Sequence, residues 1–228
     1  MEKSLDTLAS ASYEAPALPR TWDARLARWL VTPLKSTRVT PNHLTTVRLL
    51  IGVCSAAAFS VGGYGWSNLG ALLLIVSNFV DHTDGELARI SGKGSRIGHF
   101  YDLASDAIVT ILLFVGIGVG VSATGSAGIA PPALLGWIAG MAVALIFFLR
   151  MRIEERAGKA GTQQGWFAGF ETEDVLYLMP LVTLLDGTRA FLFAAAIGAP
   201  LFALWVVLDY RRVMRRSPSD ATDSGAAQ

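Results

Sequence analysis

Asp81, Asp84, Asp102 and Asp106 stand in the pattern D-x2-D-G-x2-A-R-x8-G-x3-D-x3-D, with apolar runs on both sides of it. On a helix turning by about 100° per residue, Asp81, Asp84, Gly85 and Ala88 fall within one arc of about 100°, with Arg89 at its edge. Glu86, His82 and Thr83 point elsewhere on the same helix. Ser95, Gly98, Asp102, Ser105 and Asp106 share one face of the next helix. The short connection between the two helices predicts antiparallel neighbours. Gly85, Ala88 and Gly98 are small enough to let their backbones approach. Four carboxylates are therefore expected to converge in one cleft.

Bare carboxylates are costly in that setting. An aspartate at the centre of a membrane helix costs roughly 2.5–3.5 kcal/mol on insertion scales, and like charges in one cleft add repulsion. Arg89 cannot neutralise four anions, whereas divalent cations can. Clustered carboxylate oxygens suit Mg²⁺ or Mn²⁺ rather than Zn²⁺, which favours His and Cys. Four carboxylates suffice for two hard cations about 3.5–4 Å apart, a geometry that serves phosphoryl and phosphodiester chemistry. Charges merely solvated at helix ends would show no register, but these four fall on two matched faces beside small residues.

The elements that must position them are membrane helices. Of 228 residues, 52% are hydrophobic and 16% charged, against about 25% charged in an ordinary soluble domain. Apolar runs near the length of a bilayer crossing point to a polytopic membrane protein. Six spans are predicted, roughly Leu44–Val61, Asn68–Ile90, Ile97–Val121, Pro132–Arg150, Asp174–Leu185 and Ala190–Leu208. The fifth is the least regular, with Glu171, Glu173 and Asp174 at its start and Asp186 at its end. The connections VGGYGWS and SATGSAGIAP contain no Lys or Arg. Placing the N-terminal arm, the second-to-third and fourth-to-fifth connections and the tail together gathers every Lys and Arg except Arg189 on one side. That is the positive-inside pattern, so both termini and the aspartate cleft are expected to be cytoplasmic.

Ahead of the first span, RTWDARLARWLVTPLKS sets Trp22, Leu26, Trp29, Leu30 and Pro33 at helical spacing, while Asp23, Arg25 and Arg28 fall largely on other faces. This predicts an amphipathic helix lying in the membrane interface. The expected organisation is a flexible arm over 1–20, the interfacial helix over 21–38, a six-helix membrane catalytic domain over 39–212 and a disordered cytoplasmic tail over 213–228. The arm is polar and mixed rather than a signal peptide. The fold class is thus all-α and integral to the membrane. Cys54 lies in an apolar run and reads as a small hydrophobe, and no internal repeat suggests an inverted-repeat transporter.

The aspartate pattern resembles the signature of the CDP-alcohol phosphotransferase family at every fixed position, from Asp81, Asp84, Gly85, Ala88 and Arg89 to Gly98, Asp102 and Asp106. TPNHLTTVR, just ahead of the first span, is similar to the family's P-N-x-x-T element, and the resemblance covers roughly residues 22 to 212. It implies a CDP-linked alcohol, usually CDP-diacylglycerol, whose lipid-bearing phosphorus is attacked by an acceptor hydroxyl while CMP leaves. It implies Asp81, Asp84 and Asp102 as metal ligands, and Asp106 as the general base and a further metal contact. Gly85 and Ala88 would leave room for the cytidine and ribose, and Arg89 would pair with the diphosphate. Pro41, Asn42 and Thr45 are implied as part of the nucleotide pocket. The family also implies a homodimer in the cell (inner) membrane among its lipids, and no nucleic-acid partner is expected.

Other positions keep two readings open. Arg48 could reach a lipid or acceptor phosphate, or snorkel to the interface. Arg150 and Arg152 could hold an acceptor's phosphate, or serve as positive-inside anchors. The long loop after them could dip Trp166, Phe167 and Phe170 into the interface and offer Glu171, Glu173 and Asp174 to the acceptor, or could simply be solvated. His82 and His99 are read as packing or supporting residues. A small polar or phosphorylated acceptor is favoured, its identity open. An aspartate-rich membrane prenyltransferase fits less well, since those chains have more spans and lack the D-G-x2-A-R element. A divalent-cation transporter would need a polar pathway, and spans four and six show almost no polar face.

Overall fold

The computed structural model describes residues 22–125, 130–161 and 178–215, and all regular structure within them is helical. In chain order the helices are α1 (Trp22–Val31), α2 (Pro41–Val61), α3 (Tyr64–Ser91), α4 (Arg96–Ala123), α5 (Pro132–Gly161), α6 (Met179–Leu184) and α7 (Thr188–Arg215), with a 3₁₀ turn at Thr32–Leu34 after α1.

Four of these are long and apolar enough to cross a membrane: α2, α4, the Pro132–Ile153 part of α5, and α7. α5 and α7 show why. α5 is apolar on both sides: Ala142, Ile146 and Leu149 are buried against Ala203 and Val206 of α7. Trp137, Met141, Leu145 and Phe148 are exposed on its other side, a surface suited to lipid rather than water. α3 matches α4 at 28 residues, but its second half carries Asp81, Asp84, Glu86 and Arg89. α6 is the described part of the expected fifth span, whose first residues (174–177) lie outside the described ones. So do the 162–177 part of the long loop, the arm and the last thirteen residues of the tail. α5 itself runs past Arg150 to Gly161, so the first part of the expected loop is helix. Its sequence there, IEERAGKAG, is mostly strong helix formers, which lets the helix continue beyond its apolar stretch.

Local sequence sets the ends that matter. Pro41 occupies the first turn of α2, and Thr40 and His43 form a reciprocal capping box before it, satisfying two backbone N–H groups that the helix cannot. α3 stops at Gly92, whose φ of 65° is left-handed, a conformation glycine adopts without steric cost. Three residues later the Ser95 side chain accepts a hydrogen bond from the Gly98 N–H and starts α4. The eight-residue gap of the pattern is this reversal. Lys93, at its tip, donates to the carbonyls of Thr37 and Val39 and ties the turn to the segment before α2.

The packing corrects one expectation. α3 and α4 do not pack along each other; α2 packs against both, α4 in turn against α5, and α5 against α7. The reason lies in α2, whose buried residues Thr45, Arg48, Gly52, Ser55 and Phe59 recur every three or four positions. This polar and small stripe gives α2 a face that both neighbours can approach. Ser55 donates to the Gly70 carbonyl and Ser77 donates to the Arg48 carbonyl, joining α2 to α3. A Cβ at Gly52 would strike Val109 of α4. Gly98, expected to let α3 and α4 approach, instead makes room for Asn42 of α2. The central core, with Phe59, Leu74, Leu113 and Ile117, collects side chains from α2, α3 and α4.

Candidate functional site

α3 carries Asp81 and Asp84 three residues apart, and α4 carries Asp102 and Asp106 four residues apart, each about one helical turn. Asp81, Asp84 and Asp102 each bring a carboxylate oxygen within 4.8 Å of the others'. Asp84 is buried, while the other two are partly open. Asp106 stands outside that trio and joins it through an arginine.

The joining residue is Arg48 of α2, whose side chain is only 4% exposed. Its Nη1 lies 2.7 Å from Asp81 and 2.9 Å from Asp102, and its Nη2 pairs with Asp106. One guanidinium thus spans three of the four aspartates, binding both helices through the helix between them. Its Nε is buried with no hydrogen-bond partner. The remaining aspartate, Asp84, accepts a hydrogen bond from the buried Thr45 hydroxyl at 2.7 Å. α2 therefore supplies a polar contact to every carboxylate of the cluster.

The cleft in front of these groups is lined by Asp81, His82, Asp84, Gly85, Glu86, Arg89 and Asp102. Gly85 opens onto it: an added Cβ would meet nothing within 4 Å. Arg89, with 67% of its side chain exposed, pairs with the buried Glu86, whose other oxygen accepts from Arg28 Nε of α1 at 2.7 Å. His82 faces the cleft with its Nδ1 held 2.9 Å from the Asn78 carbonyl.

Six of the predicted site residues, Asp81, Asp84, Gly85, Arg89, Asp102 and Asp106, are gathered at this cleft or linked directly to its carboxylates. Thr45 and Arg48 join them, though as partners of the aspartates rather than as lining groups. Ala88 is partly buried on α3 beside Gly94. Pro41 and Asn42 start α2, with Asn42 against Gly98. Arg150 and Arg152 sit on α5, where Arg150 lies 5.7 Å over the Phe202 ring; neither lines the cleft. Glu86 and Arg28 were not predicted. A glutamate three residues before Arg89, and an arginine on the helix face away from Leu26 and Trp29, were the signals that could have paired them.

The donor set fits a hard divalent cation. All three convergent ligands are carboxylate oxygens, the class that Mg²⁺ and Mn²⁺ prefer, and no thiol or imidazole competes among them. With every carboxylate ionised, one arginine against four leaves the cluster net anionic. Bound divalent cations would offset that charge.

Comparison with known proteins agrees with this geometry. The family profile described as CDP-alcohol phosphatidyltransferase matches residues 38–209. The chain is 34% identical over 87 residues to archaetidylinositol phosphate synthase of Pyrococcus horikoshii, covering 38% of this chain and 45% of that one. It is 34% identical over 97 residues to cholinephosphotransferase 1 of Danio rerio, covering 39% of this chain and 25% of the relative. The matched stretches thus span less than half the length of these curated relatives. Among solved structures, the phosphatidylinositol phosphate synthase PgsA1 of Mycobacterium tuberculosis, with CDP-DAG bound, superposes with a TM-score of 0.55. It is 21% identical, over 83% of this chain and 92% of that one, and so shares the fold.

Proposed function

We propose, for this chain, which belongs to the CDP-alcohol phosphatidyltransferase family, the transfer of a substituted phosphate from CDP-diacylglycerol or a related CDP-alcohol to an acceptor hydroxyl, with release of CMP. The observation that carries this reading is the convergence of Asp81, Asp84 and Asp102 on one cleft beside an exposed arginine. The PgsA1 structure with CDP-DAG bound supports the choice of donor.

In this reading Asp81, Asp84 and Asp102, with Asp106 as a further contact, hold two divalent cations, Mg²⁺ or Mn²⁺. When bound, these ions would neutralise the diphosphate and polarise the phosphorus under attack. Asp84 is fixed for this task by Thr45. Arg89 extends its guanidinium toward the diphosphate, where a planar fork matches phosphate oxygens. Gly85 leaves space for the nucleotide, and Ala88, Pro41 and Asn42 are its more distant surroundings. Asp106 receives the proton of the acceptor hydroxyl as the new O–P bond forms and the bond to CMP breaks. Arg48 holds Asp106 against Asp81 and Asp102, so the base and the ligands keep one geometry. That contact with the carboxylates favours a structural charge over acceptor recognition for Arg48. Arg150 and Arg152 remain candidates for an acceptor phosphate.

The chain would be an integral enzyme of the inner membrane with six spans, both termini and the cleft cytoplasmic, and α1 in the interface. Leu26, Trp29 and Leu30 of α1 are exposed, Trp29 by 74%, which suits an interfacial helix. A homodimer is expected, and the acceptor is a small polar or phosphorylated alcohol.

Purified protein in lipid nanodiscs, given CDP-diacylglycerol, Mg²⁺ or Mn²⁺ and a panel of acceptors, should release CMP and form a new lipid detectable by mass. Absence of CMP with every CDP-alcohol and acceptor tried would sink the reading.

A further inference from the structure

Glu86 is the most deeply buried carboxylate described, with 1% of its side chain exposed. It occupies a variable position of the aspartate pattern, between Gly85 and Arg89. A buried carboxylate is tolerated only when paired and hydrogen-bonded. Here two arginines do this, one on each oxygen: Arg28 Nε on Oε2 and Arg89 Nη1 on Oε1. They come from different places. Arg89 lies one turn along α3 and faces the cleft, whereas Arg28 reaches across from α1. Val31, Leu87 and Ile90 pack just behind this contact, so α1 is clamped to α3 by an ion pair and an apolar cluster together.

We propose that Glu86 is a positioning residue through which α1 controls how Arg89 meets the donor's diphosphate, an inference that rests on the reading of Arg89 given above. The physical reason is a division of charge. With Arg28 in place, Glu86 is neutralised from the α1 side, and Arg89 keeps both its position and a net positive charge for the diphosphate. Without Arg28, the same carboxylate turns its full charge on Arg89 and competes with the diphosphate for it. Without Glu86, Arg89 keeps its charge but loses the contact that aims it. The exposed Leu26, Trp29 and Leu30 on the other side of α1 would link this arrangement to the membrane surface. Donor binding would then be strongest when α1 is seated.

The distinguishing consequence is that one substitution repairs another. CDP affinity in the presence of Mn²⁺ is measured by calorimetry for the nanodisc-embedded protein, with hydrogen exchange of residues 22–34 followed in parallel. Arg28→Gln should weaken CDP binding by about tenfold, the scale of a lost charge contact of about 1.4 kcal/mol. Arg28→Gln/Glu86→Gln should recover a substantial part of that loss, a non-additive pattern expected of coupled residues. In both variants exchange in 22–34 should rise. A clamp that served stability alone would raise exchange and leave CDP affinity untouched, or would make the double variant no better than Arg28→Gln; either result overturns the inference. Wild-type protein that fails to bind CDP overturns the nucleotide reading of Arg89 and this inference with it. Wild-type binding that Arg28→Gln leaves unchanged overturns this inference alone.

Discussion

Gly85 and Gly116 are the same residue in opposite surroundings. At Gly85, beside the aspartates on α3, an added Cβ would meet nothing within 4 Å; at Gly116, on the far half of α4, it would strike the Ala56 carbonyl of α2. Gly120 meets the Phe59 carbonyl, and Gly136 of α5 meets the Phe114 carbonyl of α4, in the same way. One end of the bundle is therefore closed by backbone-to-backbone contact, the mode of packing that small residues allow in membranes. At the other end α2 is joined to α4 and α3 by side chains, with Arg48 and Thr45 spanning to the carboxylates. Gly85 there opens onto the cleft, while Gly98 is approached by a side chain, Asn42, rather than by backbone. Two kinds of cohesion share one set of helices, and the cleft exists because the second replaces the first.

The largest effect is expected at the charged end. Asp106→Asn should lower CMP release by about 10²–10⁴-fold, the range of a positioned general base, while CDP binding by calorimetry stays within about twofold of wild type. Undiminished turnover would remove Asp106 from the chemistry. At the closed end, Gly116→Val should cost about 1–3 kcal/mol through overpacking, seen as a lowered thermal midpoint in detergent. If the melting point holds, backbone contact there is not what closes the bundle. A smaller effect is expected at Thr45→Val, which deprives Asp84 of its hydroxyl. Mn²⁺ affinity by electron paramagnetic resonance should fall about tenfold, as for supporting residues of metal sites. The smallest change in stability belongs to Gly85→Ala, which should gain about 0.5–1 kcal/mol of helix stability while raising the apparent KM for the CDP-lipid. A rise in both stability and donor affinity would mean that the space at Gly85 serves no ligand.

What was legible in the sequence follows from periodicity within single helices. The arcs of Asp81 with Asp84 and of Asp102 with Asp106 could be drawn on isolated helices, and the structure brings carboxylate oxygens of three of the four within 4.8 Å of one another. The long helices α2, α3, α4, α5 and α7 were equally readable, because their apolar runs are long, whereas of the fifth expected span only the six residues of α6 are described as helix. Which helix lies between which was not. α3 and α4 are joined by a short turn and were expected to face each other, yet α2 packs against both. The clue was present in the stripe Thr45, Arg48, Gly52 and Ser55, polar and small within an apolar span, but a stripe names no partner. Glu86 escaped for a related reason. Its position off the aspartate arc named no partner for it, and only the placement of α1 against α3 reveals an arginine there.

The proposed transfer depends on divalent cations held by the aspartate cluster. Chelator-stripped protein in nanodiscs, supplied with CDP-diacylglycerol and the acceptor panel, tests this dependence directly by CMP release before and after Mn²⁺ is added, with Asp84→Asn alongside. Mn²⁺ should restore release in the wild type and not in Asp84→Asn. Release that persists without metal, or that Mn²⁺ restores equally in both proteins, would contradict it.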